Sequence, residues 1–136
     1  MQKRVVIPIA VMGFSGLVAE ILLLRELLIV FSGNELSIGI ILSNWLILEA
    51  LGSLLAGRTA EKSKNTAAAF TLVTVLFALS LFPAIYLTRL LKPLLGVSIG
   101  ESLGLLPMFY ASLMILLPVS LLHGALFACG CRLYAQ

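Results

Sequence analysis

Residues 36–57, LSIGIILSNWLILEALGSLLAG, decide how this chain folds. A single charge, Glu49, interrupts 22 otherwise uncharged residues. At ~1.5 Å rise per residue, a helix of that length spans about 33 Å, enough to cross a ~30 Å hydrocarbon core. Arg58 and the polar stretch 58–65, RTAEKSKN, end the run on one side, and the turn residues Ser32-Gly33-Asn34-Glu35 end it on the other. Working outward, three further runs have the same character: Val5 to Phe31, Thr66 to Thr88 and Met108 to Cys131. The expected fold is all-α, an integral membrane bundle of four transmembrane helices spanning about 5–31, 36–57, 66–88 and 108–131. These form a single membrane domain over residues 1–136, with no soluble domain.

Composition agrees with that reading. The 136 residues are 61% hydrophobic and only 11% charged, where a soluble domain carries about 25% charged residues. The loops leave no room for a soluble catalytic domain. Although the net charge is +3, the basic residues sit beside apolar runs, where they act as topological anchors rather than as a nucleic-acid surface. Lys3, Arg4, Arg58, Lys62, Lys64 and Arg132 fall on one side of the expected topology, and Arg89 and Lys92 on the other. This asymmetry places both termini in the cytoplasm, in a multi-pass protein of the cell (inner, cytoplasmic) membrane. The first span reads as a retained signal-anchor, because it exceeds the usual signal-peptide length and contains Glu20 and Arg25.

Proline and capping residues mark the span edges. Asn65 is a candidate N-cap for the third span, Pro83 a kink within it, and Pro118 lies inside the fourth. The stretch 92–107 has glycines four apart at 96, 100 and 104. Two readings stay open there, a short interfacial or re-entrant helix and a Gly/Ser loop. No Lys-Ser/Thr follows those glycines, so a phosphate-binding loop is excluded. Nothing repeats internally.

Ionisable side chains inside spans cost ~2.5–3.5 kcal/mol each on insertion scales and require a partner or a cavity. Glu20, Arg25, Asn44, Glu49 and His123 are therefore the candidate intramembrane polar site. Arg25 and Glu26, near a span end, can also snorkel to the interface. Gly13, Gly16 and Glu20 share one helical face, as do Trp45, Glu49, Ser53 and Gly57, with Gly52 and Ala56 widening the latter. Ser120, Gly124 and Ala128 are four apart with His123 beside them, and the third span offers Thr71, Thr74 and Ala78. Glu49 and His123 are each nine residues from the basic end of their span, which puts them in one layer. One reading of the acids is a cation, proton or amine site. The other is a buried structural network satisfied by Asn44, Ser43 or Arg25. No metal site is expected, because Cys129 and Cys131 lie about 200° apart on a helix and cannot chelate together. No catalytic residue and no cofactor motif is found.

Three segments carry a family resemblance: 13–28, GFSGLVAEILLLRELL; 50–58, ALGSLLAGR; and 117–127, LPVSLLHGALF. Together they resemble the membrane domain of spermidine-synthase-like (polyamine aminopropyltransferase-like) proteins, which is itself similar to part of a major-facilitator transporter. His123 stands where that group commonly has Met. The resemblance implies a membrane portion, a split protein or a fragment, serving as anchor, assembly surface or amine conduit. The glycine-rich cofactor motif and acidic amine-binding residues of the synthase domain have no counterpart here, so no family catalytic residue transfers. Implied partners are the lipid bilayer and further helices, a homo-oligomer or a separate synthase-like domain, but no nucleic acid. The alternatives are a partial major-facilitator-type transporter unit and a small structural membrane subunit.

Overall fold

A computed structural model describes residues 2–60, 65–96 and 103–135. Four helices occupy them: α1 (Gln2–Phe31), α2 (Glu35–Ala60), α3 (Thr66–Leu95) and α4 (Leu105–Ala135). No strand occurs among the described residues. All four helices are long and apolar enough to cross a membrane. The chain is an all-α four-helix bundle, and its outer surface is what a bilayer requires. Phe14, Phe82 and Met114 are each more than 70% exposed, and lipid rather than water is the solvent that tolerates them.

The helix ends follow from local chemistry. Ser32 adopts φ 54, and the Gly33 N–H donates to the Leu28 carbonyl at 2.9 Å, closing α1 with a Schellman-type cap. Asn34 then caps α2, its Oδ1 accepting from the Ser37 N–H at 3.0 Å. The Asn65 side chain accepts from the Ala68 N–H at 3.2 Å, as the sequence led us to expect. The third helix continues seven residues past its expected end at Thr88, until Gly96 at φ 64 turns its N–H back to Lys92 and Pro93. Arg89 and Lys92 do not stop it, because charged residues favour a helix C-terminus and only the left-handed glycine breaks the backbone. Pro83 and Pro118 lie inside unbroken helices. With α3 ending at Leu95 and α4 beginning at Leu105, residues 92–95 and 105–107 of the stretch 92–107 belong to the spans, while Gly96 and Gly104 lie outside them. Residues 97–102, with Gly100, and 61–64, with Lys62 and Lys64, lie outside the described residues.

Contacts across the bundle give its topology. Gly130 faces Phe70 of α3, and His123, seven residues earlier, stacks near Phe77, seven residues later. Helices α3 and α4 are therefore antiparallel. The same step holds against α1, where Gly130 faces Ile9 and His123 faces Gly16. Against α2 the direction reverses. Asn44 meets Ser112 and Gly52 meets Leu121, so α2 and α4 run parallel. Helix α4 is the hub, packed most extensively on α2 and touching all three others.

Two glycines make the α2–α4 seam. A Cβ on Gly52 would overlap the Leu121 backbone carbonyl, and one on Gly124 would overlap the Glu49 carbonyl oxygen and the Ser53 amide. The backbones approach so closely that no side chain fits between them, which is how helices gain dispersion contact where lipid offers no hydrophobic drive. Leu116, Val119 and Leu126 of α4 fill the interior with Leu23 and Leu27 of α1.

The third helix corrects one expectation. Thr71, Thr74 and Ala78 face outward, while Thr66, Phe70, Phe77, Ala84 and Thr88 form the buried face. The two threonine hydroxyls donate to their own helix, Thr71 to Ala67 at 3.0 Å and Thr74 to Phe70 at 2.8 Å. A hydroxyl satisfied four residues back needs no interhelical partner and can face lipid.

Candidate functional site

All four helices converge on His123. From α2, the Glu49 carboxylate brings Oε1 within 2.8 Å of His123 Nδ1. The second carboxylate oxygen, Oε2, accepts a hydrogen bond from the Trp45 indole Nε1 at 3.0 Å. Trp45 and Glu49 are four residues apart and thus stacked on one helix face. The Trp45 ring lies 6.0 Å from the imidazole, centroid to centroid. From α3, the Phe77 ring lies 5.6 Å away. From α1, Gly16 lets the imidazole edge come in, since a Cβ there would overlap His123 Nε2 and Cε1.

Glu20 sits one turn beyond Gly16 on the same face of α1 and is half-buried. The titratable groups that act on it through space are Glu49 and His123. Its carboxyl makes no hydrogen bond to any described residue. The site is thus a Glu49–His123 pair, held by an indole and flanked by a second carboxylate. Its outer wall is open: Leu46, Glu49, Ala50, Ser53 and Phe127 line a groove of about 350 Å³ on the bundle surface. The Glu49 side chain is 27% exposed there, against 12% for His123.

The remaining candidates lie elsewhere. Asn44 is fully buried and donates to Ser112 Oγ at 2.8 Å and the Phe109 carbonyl at 3.1 Å. It ties α2 to α4 closer to their N-terminal ends and satisfies neither acid. Arg25 is exposed and edges a shallow groove with Ile21, Leu24, Leu28 and Ile29. Ser43 is exposed as well. Of the network members expected for the acids, His123 meets Glu49, whereas Asn44, Ser43 and Arg25 do not, and Trp45 joins in their place. Among the expected packing positions, Gly16, Gly52 and Gly124 make close contacts, while Gly13 and Gly57 have no neighbour within reach of a Cβ. Ser53 donates to its own helix at the Ala50 carbonyl, 2.9 Å away.

Trp45 and Phe77 were not read as members of the site. The i, i+4 spacing of Trp45 and Glu49 was the available signal for the first. Nothing local marks Phe77. An Arg–Glu ion pair also went unread: Arg89 of α3 donates from Nε and Nη2 to Glu26 Oε2 and Oε1, at 3.0 and 2.9 Å. This fork-on-fork geometry joins α1 to α3.

No three His, Cys, Asp or Glu side chains converge as a metal site among the described residues. Cys129 is buried and Cys131 exposed, both free thiols. What the cluster can do chemically is bind or exchange a proton, or present negative charge to a partner at the groove. Compared with protein-family models, curated proteins and solved structures, the chain matches none.

Proposed function

We propose that the chain is the membrane domain of a spermidine-synthase-like protein, working as an anchor and assembly surface and carrying no catalytic residues of its own. The observation that carries this reading is the position of Glu49, whose carboxylate borders an outward-facing groove at mid-span and is only partly covered by its own bundle. A carboxylate facing acyl chains loses its hydration, so a further polar surface against this groove lowers the energy of the bundle. That surface is supplied by further helices, a second copy or a synthase-like partner. The order and spacing of the three resemblant segments support the family, and the distribution of lysine and arginine supports a cytoplasmic-membrane protein with both termini inside.

Cysteine cross-linking tests the assembly. In a background lacking Cys129 and Cys131, Ala50→Cys on the groove should cross-link to a neighbouring protein in native membranes, and Tyr86→Cys on the lipid face of α3 should not. A chain that is monomeric in detergent and bilayer, with no cross-link at residue 50, overturns the proposal. Purified chain incubated with a polyamine and an aminopropyl donor should give no turnover above a no-protein control. Reporter fusions at Asn34 and Ser63 should lie on opposite sides of the membrane, with residue 63 inside.

The Glu49–His123 pair at the four-helix junction favours a second reading, a transporter unit or amine conduit. Proteoliposomes that take up labelled polyamine, and lose that uptake with Glu49→Gln, would select it.

A further inference from the structure

Among the polar features left after the fold is assembled are the exposed Arg25 groove, the buried Asn44–Ser112 link and the buried imidazole of His123. The third carries an inference. Both ring nitrogens of His123 are buried, and neither makes a well-aligned hydrogen bond to a described residue, although Nδ1 is in short contact with Glu49. Buried polar atoms are nearly always satisfied, so an orphan at the junction of four helices requires a reason. The imidazole offers opposite edges to two helices. Nδ1 points to the Glu49 carboxylate on α2, and Nε2 points to Gly16 on α1. Glu20 is four residues after Gly16, and helical side chains tilt towards the N-terminus, so its carboxyl lies over the Gly16 turn. Glu20 thus lies on the Gly16 side of the imidazole, near enough to interact with it through space but not in ion-pair contact with it, and Gly16 leaves Nε2 room to approach α1.

We propose that Glu20, His123 and Glu49 form one intramembrane proton-binding site, in which His123 keeps a proton on Nδ1 against Glu49 and takes up a second on Nε2, facing Glu20. The balance is simple. An aqueous proton adds to the Nε2 lone pair, no covalent bond in the protein breaks, and neutral imidazole becomes imidazolium with a carboxylate on either side. Only the charged form is a hydrogen-bond donor at both nitrogens, and it is the form that two ionised carboxylates favour. The groups that face the imidazole are Glu20 from α1, Glu49 and Trp45 from α2, and the uncharged Phe77 from α3. Glu49 connects the site to the surface through the groove it shares with Ser53 and Phe127. The inference does not depend on what covers that groove.

The chain contains one histidine and one tryptophan, and the two are neighbours, which gives the site two intrinsic probes. Full chain labelled with ¹⁵N-histidine in lipid nanodiscs is titrated from about pH 9 to about pH 4, bracketing the ordinary histidine range. The expected result is a single-proton conversion of Nε2 from the unprotonated to the protonated signal, with Trp45 emission changing in step. Glu20→Gln should weaken proton uptake about tenfold, the scale of one neighbouring charge. It should do so without altering helix content, because the Glu20 carboxyl makes no hydrogen bond that the fold needs. Glu49→Gln should weaken it at least as much. Nε2 that stays unprotonated across the range in folded chain overturns the proposal, and this readout needs no variant. Uptake indifferent to Glu20→Gln also overturns it. So does a response to sodium chloride that choline chloride does not reproduce, since that would assign the site to a metal cation.

Discussion

Two polar contacts of nearly equal length bridge this bundle, the Glu49–His123 contact at 2.8 Å and the Glu26–Arg89 ion pair at 2.9 Å, and they do different work. The Arg89 side chain is 67% exposed near the end of α3, where a long basic side chain can snorkel to headgroups and salt that screen it. His123 is 12% exposed and lies where α1, α2, α3 and α4 meet. Distance alone therefore says little about a salt bridge in a membrane protein. What decides is whether the charge has another solvent available. At the rim it does, and the pair adds orientation. At the junction it does not, and each polar atom must be matched by a neighbour or by a proton.

The comparison can be broken or sharpened by substitutions of decreasing expected effect. Gly124→Val should be the most damaging, because the new side chain meets the Glu49 carbonyl and Ser53 amide, backbone atoms that cannot rotate away. A loss of about 3 kcal/mol or more is expected, the upper end for overpacking, measured by reversible unfolding in mixed micelles. A mild effect would mean that the α2–α4 seam is looser than drawn.

His123→Ala comes next. It leaves Glu49 with the Trp45 indole as its only hydrogen-bonding neighbour among the described residues, and should cost about 2 kcal/mol, the usual penalty for orphaning a largely buried polar group. Asn44→Ala removes two bonds to α4, yet Ser112 keeps its own bond to the Met108 carbonyl at 2.8 Å. About 1 kcal/mol is expected, in keeping with interhelical hydrogen bonds in other membrane proteins. Arg89→Gln should leave the unfolding midpoint close to wild type, and the small difference should shrink further as salt rises. If Arg89→Gln proved as harmful as His123→Ala, the distinction between rim and junction would fail.

Much of the fold was legible because its signals are local. The Asn65 cap and the turn at residues 32–34 each occupy a few contiguous residues, and each apolar run is a single continuous segment. The end of α3 was misjudged because Arg89 and Lys92 look like a boundary by hydropathy, although a helix continues through them until Gly96. The site was partly legible. Glu49 and His123 were linked by their equal distance from the basic ends of their spans, and the structure brings them into contact. Arg25 and Asn44 were grouped with them on polarity alone, and they lie elsewhere because polarity does not encode direction. Thr71 and Thr74 misled for a related reason. Their hydroxyls resemble interhelical glue, but a helix can satisfy them internally.

The sequence by itself determined that this chain has four helices fit to cross a membrane, where the first two of them turn, and which few residues cannot face lipid comfortably. Only the tertiary structure decided that α4 is the hub, that α2 lies parallel to it through Gly52 and Gly124, and that Glu26 reaches Arg89. The reason is physical. In water, an apolar stripe reveals which face of a helix is buried. In a bilayer, leucine is equally stable against lipid and against protein, so hydropathy fixes depth and leaves rotation and partner undetermined. Those are set by where backbones can come closest, a property of two helices together that neither sequence segment contains alone.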